Sequence, residues 1–368
     1  MRFLKILSVL FALTSSAVAA NTAGVYVGTL GKSAIVLKLE EASGTETYGS
    51  YYYRNHARDI NLNGNIKNSS LHLEEFEVMN TDPKAIFELK MQGGNLTGAW
   101  TDFKNKKKTF PVNLHRVTSK DFGGIKLPST PMLNKWKREN PYDYLRYDTA
   151  LKTVKTEVVN GKKVQWLLEP KSNVMFLRLS GQNKAVNDAL IDEHYRIASE
   201  SLGCISDYPD SFTYTPKISL YSKRILSISA SVYYDCGGAH PDGGAENFNL
   251  NLSTGKTLEL EDVYHFVPIP KGVSLDPNNT SDLRTIYLKT RGAALKTLIL
   301  NQYKTFNAEK DCEDVYEPDG LSYISWYLTN TGLVVTPSFA HAMAACEEDF
   351  ELPYKSLVQY LAPNSPLK

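Results

Sequence analysis

The chain has 368 residues, and its 41 Lys and Arg against 40 Asp and Glu give a formal net charge of +1. Its 42% hydrophobic and 22% charged residues are typical of a folded globular protein, and they exclude a disordered or collagen-like chain. The balanced charge argues against a protein that binds nucleic acid or anionic lipid. The length predicts two domains, each large enough to bury a core of its own.

The first twenty residues are typical of an export signal. Arg2 and Lys5 give a basic start around a short apolar run, and residues 17–19 read Ala-Val-Ala, the small-x-small pattern before a cleavage site. We therefore predict a signal peptide over residues 1–20 and a periplasmic or secreted protein. An N-terminal anchor that is never cut is the alternative. No later stretch has the length of uninterrupted apolar residues that a membrane-spanning helix needs, so no transmembrane segment is predicted after cleavage.

Residues 21–117 alternate apolar and polar side chains with a period of two, in short runs separated by turn residues. This pattern predicts an antiparallel β meander, closed as a small barrel or folded as a sandwich. Asn63-Gly64 predicts a hairpin turn within it. One basic cluster lies where a hairpin tip is expected; a solvated turn is the plain interpretation, and contact with an anionic polymer is the alternative. The cluster consists of Lys104, Lys106, Lys107 and Lys108.

Residues 118–140 lack periodicity and contain several Gly and Pro residues, which predicts a linker. Residues 141–368 mix strand and helix patterns without strict alternation, which predicts an α+β domain with two main helices. Those helices are expected near 185–202 and 282–303. Asn160-Gly161 predicts a second hairpin turn.

All cysteines of the chain lie in the predicted second domain, at Cys204, Cys236, Cys312 and Cys346. Disulfides are the default interpretation in an exported protein, and the three pairings that four cysteines allow are not decided by sequence alone. We favour Cys204–Cys236 and Cys312–Cys346 because each pair lies within one apparent sub-motif. Zinc is the rival interpretation, but no Cys-x-x-Cys pair occurs and no histidine has finger spacing.

A glycine-flanked turn follows Cys236 and is the candidate binding loop. Such turns let the backbone approach a partner closely, and a histidine held in one could donate to, or block, an acidic site of a partner. The alternative is that the histidine only caps its own loop through backbone hydrogen bonds. The loop consists of Gly237, Gly238, Ala239, His240, Pro241 and Asp242.

The blocks Gly-Gly-Ala-His-Pro at 237–241 and Thr-Gly-Lys-Thr-Leu at 254–258, with the later stretch 327–335, resemble an extracytoplasmic family. It is DUF3298, the domain of unknown function shared by lysozyme-sensing anti-sigma factors of the RsiV type and peptidoglycan deacetylases of the PdaC type. The resemblance covers about residues 150–362. It implies a recognition module and carries lysozyme binding over as a hypothesis. The chain shows neither the membrane helix of the first type nor the His-x-x-x-His motif of the second.

Motifs of serine hydrolases, P-loop proteins, dinucleotide-binding proteins and zinc peptidases do not occur, so we predict no cofactor, no metal and no assigned catalytic residue. The first hypothesis is an exported cell-envelope binding protein that recognises or inhibits a lysozyme-type peptidoglycan hydrolase. Its 22 tyrosines favour such a role, because rigid aromatic side chains are common in recognition surfaces.

The second hypothesis is a hydrolase that acts on peptidoglycan or another envelope glycan, with His240 in its site. Asp235 or Asp242 would then orient the imidazole, and Ser231 or Tyr234 would supply the nucleophile. A third hypothesis makes the chain an interaction scaffold in an envelope complex. The acidic run at 347–349 either faces solvent, binds a cation or opposes a basic partner.

Overall fold

The structure is a computed structural model. It describes residues 22–76, 82–204, 211–276, 279–303, 312, 316 and 320–368. The predicted signal peptide, residues 1–20, lies outside the described residues. The described chain divides into two compact units, of which the first comprises 22–51, 61–76 and 82–117, and the second comprises 52–60 and the described residues from 118 onward.

The first unit is a closed barrel in which eight strands pair with their sequence neighbours and the last strand pairs with the first. The predicted antiparallel meander is therefore confirmed, in its barrel form. Its interior is filled by side chains such as Leu37, Leu71 and Phe87, which are fully buried. The strands are β1 (Gly24–Leu30), β2 (Ser33–Leu39), β3 (Glu46–Tyr53), β4 (Ile60–Lys67), β5 (Ser70–Glu75), β6 (Ala85–Gln92), β7 (Asn95–Asp102) and β8 (Thr109–Arg116).

The hairpin turn predicted at Asn63-Gly64 is wrong. Both residues lie inside β4, and the turn comes at Asn68 and Ser69, whose φ angles are 49° and 62°. A Cβ on Gly64 would lie 1.9 Å from the backbone oxygen of His72 on the neighbouring strand. Gly64 is therefore required by the close approach of two strands inside the barrel and not by a turn.

The second unit is an α+β assembly with two main helices, as predicted. Its strands are β9 (Lys152–Val159), β10 (Lys162–Leu168), β11 (Met175–Leu179), β12 (Phe212–Tyr221), β13 (Ile225–Tyr234), β14 (Asp242–Ala245), β15 (Phe248–Asn251), β16 (Ile324–Leu328), β17 (Gly332–Pro337) and β18 (Phe350–Pro353). Its helices are α1 (Pro131–Glu139), α2 (Pro141–Tyr144), α3 (Lys184–Gly203), α4 (Leu260–Val263), α5 (Asp282–Tyr303) and α6 (Tyr354–Leu357), with short 3-10 turns at Ser119–Phe122, His341–Cys346 and Val358–Tyr360.

These strands form three antiparallel sheets. One has the order β11-β10-β9, one has the order β12-β13-β14 with β15 also paired to β13, and one has the order β16-β17-β18. The hairpin predicted at Asn160-Gly161 is confirmed, since it joins β9 to β10 and the two residues have φ angles of 49° and 75°. Among the helices of the described residues, none is both long enough and apolar enough to cross a membrane.

Part of the predicted linker is helical, because α1 occupies Pro131–Glu139. The hydroxyl of Thr130 accepts a hydrogen bond from the Leu133 amide at 3.3 Å, and Pro131 takes the first helical position, both ordinary helix-start signals. The carboxylate of Asp192 on α3 accepts from the Met132 amide at 3.1 Å. Because Asp192, 60 positions away in sequence, completes the capping of this helix, its start cannot be recognised from neighbouring residues alone.

Side chains join the second and third sheets of this unit, and one of them is Asn247, whose amide donates to the Ser325 hydroxyl at 2.7 Å. The Asn249 amide donates to the Trp326 carbonyl oxygen at 3.0 Å, and the Ser227 hydroxyl accepts from the Leu328 amide at 2.8 Å. Strand β16 thus lies beside β13 and β15 but is held there by side chains. A shared apolar core packs α5 against the third sheet, with Leu295 and Val335 fully buried.

Candidate functional site

The candidate binding loop connects β13 to β14 and is held at its start by a disulfide. Cys236 is bonded to Cys204, which caps the C-terminus of α3, and the two Cα atoms are 4.7 Å apart. Gly237 has a φ of 78°, a conformation that glycine adopts without strain. Residues 237–241 are exposed, so the loop presents its backbone and its histidine to solvent.

His240 stacks on a second histidine that the sequence analysis did not select. The ring centroids of His240 and His341 are 3.6 Å apart and the ring planes differ by 16°. His341 opens the 3-10 turn that ends at Cys346, and Cys346 is bonded to Cys312. The disulfide pairs are those that the sequence analysis favoured. Each disulfide therefore anchors one of the two segments that meet at the imidazole stack.

Asp242 pairs with His341 and not with the neighbouring His240. Its Oδ1 lies 3.2 Å from His341 Nδ1, and its Oδ2 accepts from the Tyr234 hydroxyl at 3.4 Å. The Gly243 amide and the His341 imidazole both hold the pKa of the Asp242 carboxyl below its usual range. The nearest partner of His240 is local, since its Nδ1 lies 3.3 Å from the carbonyl oxygen of Pro241.

The hydrolase hypothesis assigned a nucleophile to Ser231 or Tyr234. Tyr234 donates its hydroxyl to Asp242, and the side chain of Ser231 is exposed on β13. The described contacts contain a carboxylate–imidazole pair, Asp242 with His341, but they place neither hydroxyl against an imidazole. The arrangement can orient a base, as in acid–base catalysis, and it can equally present a rigid polar surface to a partner.

A groove of about 320 Å³ begins beside this cluster. It runs between β14 and the facing ends of β16 and β17, and Asp242, Glu246 and Glu347 line it. A second recess of about 410 Å³ continues from it and shares Ala245 and Glu246 with it. This second recess is lined by Trp326, Leu288, Arg284 and Arg291, among others.

The acidic run 347–349 is only partly a solvated face. Glu347 accepts from the Phe339 amide at 2.9 Å, and Asp349 accepts from the hydroxyl groups of Thr336 at 2.5 Å and Tyr327 at 3.0 Å. These bonds fix two of the three carboxylates, and Glu347 is the one that lines the groove. Sequence reasoning identified the run but gave no reason to place it near the candidate loop.

Among the described residues, no group of three or more His, Cys, Asp or Glu side chains is placed to hold a metal ion. The four cysteines are joined in two disulfides and are not metal ligands in this structure.

The predicted basic cluster lies in the first unit, in the turn between β7 and β8. Asp102 accepts from the backbone amides of Lys104 and Asn105, and the ammonium of Lys106 lies 4.3 Å from the ring centroid of Phe103. These are contacts within a turn, and they give the cluster a local structural role.

Comparisons with known proteins return likenesses to solved structures. No family model matches the chain, and no curated protein matches it. The chain is similar to a solved member of the DUF3298 family from Bacteroides fragilis, with 16% sequence identity and a TM-score of 0.34. The likeness covers 58% of this chain and 93% of the other chain.

Proposed function

We propose that this chain is an exported, non-enzymatic binding protein of the cell envelope, and that the surface around His240 and His341 recognises a lysozyme-type peptidoglycan hydrolase. The observation that carries the proposal is the meeting of two exposed, disulfide-anchored segments at one imidazole stack. Loops fixed in this way lose little conformational entropy when a partner binds. The choice of a lysozyme-type partner rests on the resemblance of residues 237–241 and 254–258 to the extracytoplasmic family.

Export is part of this proposal. Two disulfides within one unit favour an oxidising compartment, since disulfides are rare in the reducing cytoplasm. Sequencing of the N-terminus of the protein recovered from the envelope fraction tests it. We expect the chain to start at residue 20 or 21, after cleavage behind Ala19 or Ala20. A protein recovered from the cytoplasm with an intact N-terminus contradicts it.

The binding proposal is tested by titrating the purified protein against c-type, g-type and bacterial lysozymes while complex formation and lytic activity are followed. We expect one class to bind, and we expect His240→Ala to weaken that binding at least about tenfold, equivalent to about 1.4 kcal/mol. His56→Ala is the matched control, because His56 is also exposed but lies outside the loop. The absence of any complex and of any loss of lytic activity contradicts the proposal.

A peptidoglycan or glycan hydrolase is the second candidate, and the Asp242–His341 pair beside a groove is the observation that favours it. A base oriented by a carboxylate is a common element of hydrolytic sites. The test is release of product from purified sacculi by the wild-type protein and by the variants His240→Ala and His341→Ala. Activity that both variants lose while they stay folded supports the hydrolase. A wild-type protein that releases nothing over a range of pH and metals rejects it.

A further inference from the structure

The outer edge of β14 carries backbone groups that no strand of the described residues pairs. Val232 of β13 is opposite Gly244, and the Glu246 amide donates to the Ala230 carbonyl oxygen at 2.8 Å. Because hydrogen bonds along an antiparallel strand alternate in direction, the backbone of Gly243 and Ala245 faces away from β13. Within the described residues β14 pairs with β13 alone, so both groups of Ala245 and the carbonyl of Gly243 face the groove.

The facing strand β16 has a second open edge at the same place. The carbonyl of Trp326 and the amide of Leu328 point away from β17, because they are bonded to Asn249 and Ser227. The same alternation turns the backbone groups of Ile324 toward the recess that continues the groove. The two sheets are thus joined by side chains along β16, including a hydrogen bond from the Asn247 amide to the Ser325 hydroxyl at 2.7 Å. Within the described residues, no strand pairs with the outer edge of β14 or with this edge of β16.

The lining of the groove leaves room for a backbone and favours a cation. Gly243 and Gly244 have no side chains, and a Cβ on Gly244 would meet nothing closer than the Glu347 carboxylate at 3.8 Å. Among the described residues, no Lys or Arg lines the first part of the groove, whereas Asp242, Glu246 and Glu347 do. Asp242 pairs with His341 and Glu246 with Arg196, which leaves Glu347 as the carboxylate held only by a backbone amide among the described contacts.

We propose that the groove binds an extended peptide segment of a partner protein as an added strand along β14, with a Lys or Arg side chain of that segment against Glu347. Backbone hydrogen bonds to Ala245 supply affinity in this mode of recognition, and side-chain contacts at alternate positions supply specificity. The apolar end of the recess, near Trp326 and Leu288, takes a hydrophobic side chain further along the same segment. This inference rests on the proposed binding function and names the form in which the partner is recognised.

The test uses a displayed library of random dodecapeptides, selected on the purified, oxidised chain and measured singly by fluorescence anisotropy. We expect the enriched peptides to carry Lys or Arg and to lack proline in the segment that binds. Ala245→Pro removes the outward-facing amide but leaves the pairing with β13, and it should weaken binding at least about tenfold. Ala245→Ser keeps the amide and is the matched control. Glu347→Gln keeps the acceptor for Phe339 and should weaken binding and reduce its salt dependence.

A modified peptide keeps the inference testable if the Ala245→Pro protein does not fold. Methylation of successive backbone nitrogens in a selected peptide should abolish binding at every second position only, since alternate amides of a strand face its neighbour. Peptides that bind wild type and Ala245→Pro equally, insensitivity to methylation, or a library with no enrichment each overturn the inference. Peptide binding that depends on Ala245 while no lysozyme binds upholds the groove and rejects the lysozyme proposal. Lysozyme binding that depends on His240, with no peptide enriched, upholds the lysozyme proposal and rejects the peptide groove.

Discussion

Arg146 shows how a charged side chain can be buried in the second unit. It is 2% exposed, and its guanidinium donates to both carboxylate oxygens of Asp59 at 2.7 and 2.8 Å and to Asp143 at 2.8 Å. The rings of Tyr52 and Tyr142 lie 4.7 and 4.9 Å from the guanidinium carbon. A planar group with several donors can satisfy both carboxylates and stack on aromatic rings, whereas an ammonium cannot do both.

Substitution of Arg146 should therefore be costly. Arg146→Met leaves the largely buried Asp59 carboxylate, whose side chain is 14% exposed, without its cationic partner, and we expect the free energy of unfolding to fall by about 3–5 kcal/mol. Arg138→Met is the control, because Arg138 is 66% exposed and its loss should change stability by no more than about 0.5 kcal/mol. Urea denaturation followed by near-ultraviolet circular dichroism measures both. Equal stabilities for the two variants would contradict a stabilising role for the buried Arg146 guanidinium.

His194 predicts a pH dependence. It is fully buried with Nε2 3.0 Å from the Val174 carbonyl oxygen. Burial, and then the charge of Arg178, lower its pKa from 6.5 to about 3. Between these two values the unfolded chain binds a proton that the folded chain does not, so the free energy of unfolding falls as the pH drops from 6.5 toward 3.

The contribution of His194 is thus fully present above pH 6.5 and decreases below it by up to about 1.4 kcal/mol for each pH unit. His194→Gln removes the titrating group and should flatten this part of the stability–pH profile. His72→Gln is a contrast, because hydrogen bonding to Glu88 raises the pKa of the half-buried His72, so its contribution to stability is lost as the pH rises. Denaturation midpoints at a series of pH values measure both changes. If His194→Gln leaves the stability–pH profile unchanged, His194 is not the origin of the loss of stability below pH 6.5.

At the scale of elements, hydrophobic periodicity in the sequence predicted those strands and helices whose formation depends on neighbouring residues. The span of α5 follows directly from helical spacing in the sequence. The two Asn-Gly pairs show where a local sequence pattern stops predicting a turn. Asn160-Gly161 forms the expected turn, but Asn63-Gly64 lies inside β4, because the closing of the barrel needs a residue without a side chain at that point.

Sequence reasoning identified only one of the two segments of the candidate site, for a related reason. The loop 237–242 stands out as a compact motif, whereas His341 lies about a hundred positions later with no spacing that links it to His240. The packing of β16 against β13 and β15 lays side by side the two sheets that carry these segments. A single sequence carries no signal of that contact.

Gly64 itself supports a prediction about the barrel. A Cβ at this position would overlap the His72 carbonyl oxygen at 1.9 Å, so Gly64→Ala must shift one of the two strands. We expect the barrel to lose about 1–3 kcal/mol of stability, measured by thermal unfolding and by faster hydrogen exchange of β4 and β5 amides. Gly124→Ala should change stability by no more than about 0.5 kcal/mol, because nothing lies within 4 Å of its Cβ position. Unchanged exchange in Gly64→Ala would contradict the close approach.

At the scale of the whole molecule, the covalent cross-links are distributed unequally. Both disulfides belong to the second unit, and the barrel contains no cysteine and is held by its filled interior. The bridged cysteines are 32 and 34 positions apart. In the chain-entropy view, loops of this length contribute about 3–4 kcal/mol for each disulfide by restricting the unfolded chain.

Reduction should therefore act on one unit and spare the other. With a strong reductant present, we expect hydrogen exchange to quicken first in residues 236–242 and in the turn 341–346, where the disulfides anchor the two segments of the candidate site. Amides of the barrel strands should keep their protection at the same reductant concentration, because no cross-link restrains them. The pair Cys204→Ser and Cys236→Ser should reproduce the change in the first segment without reductant, and Cys312→Ser with Cys346→Ser the change in the second. Loss of barrel protection before that of the two segments would show that the disulfides act on the fold as a whole, and the anchoring role that underlies the proposed binding surface would then fail.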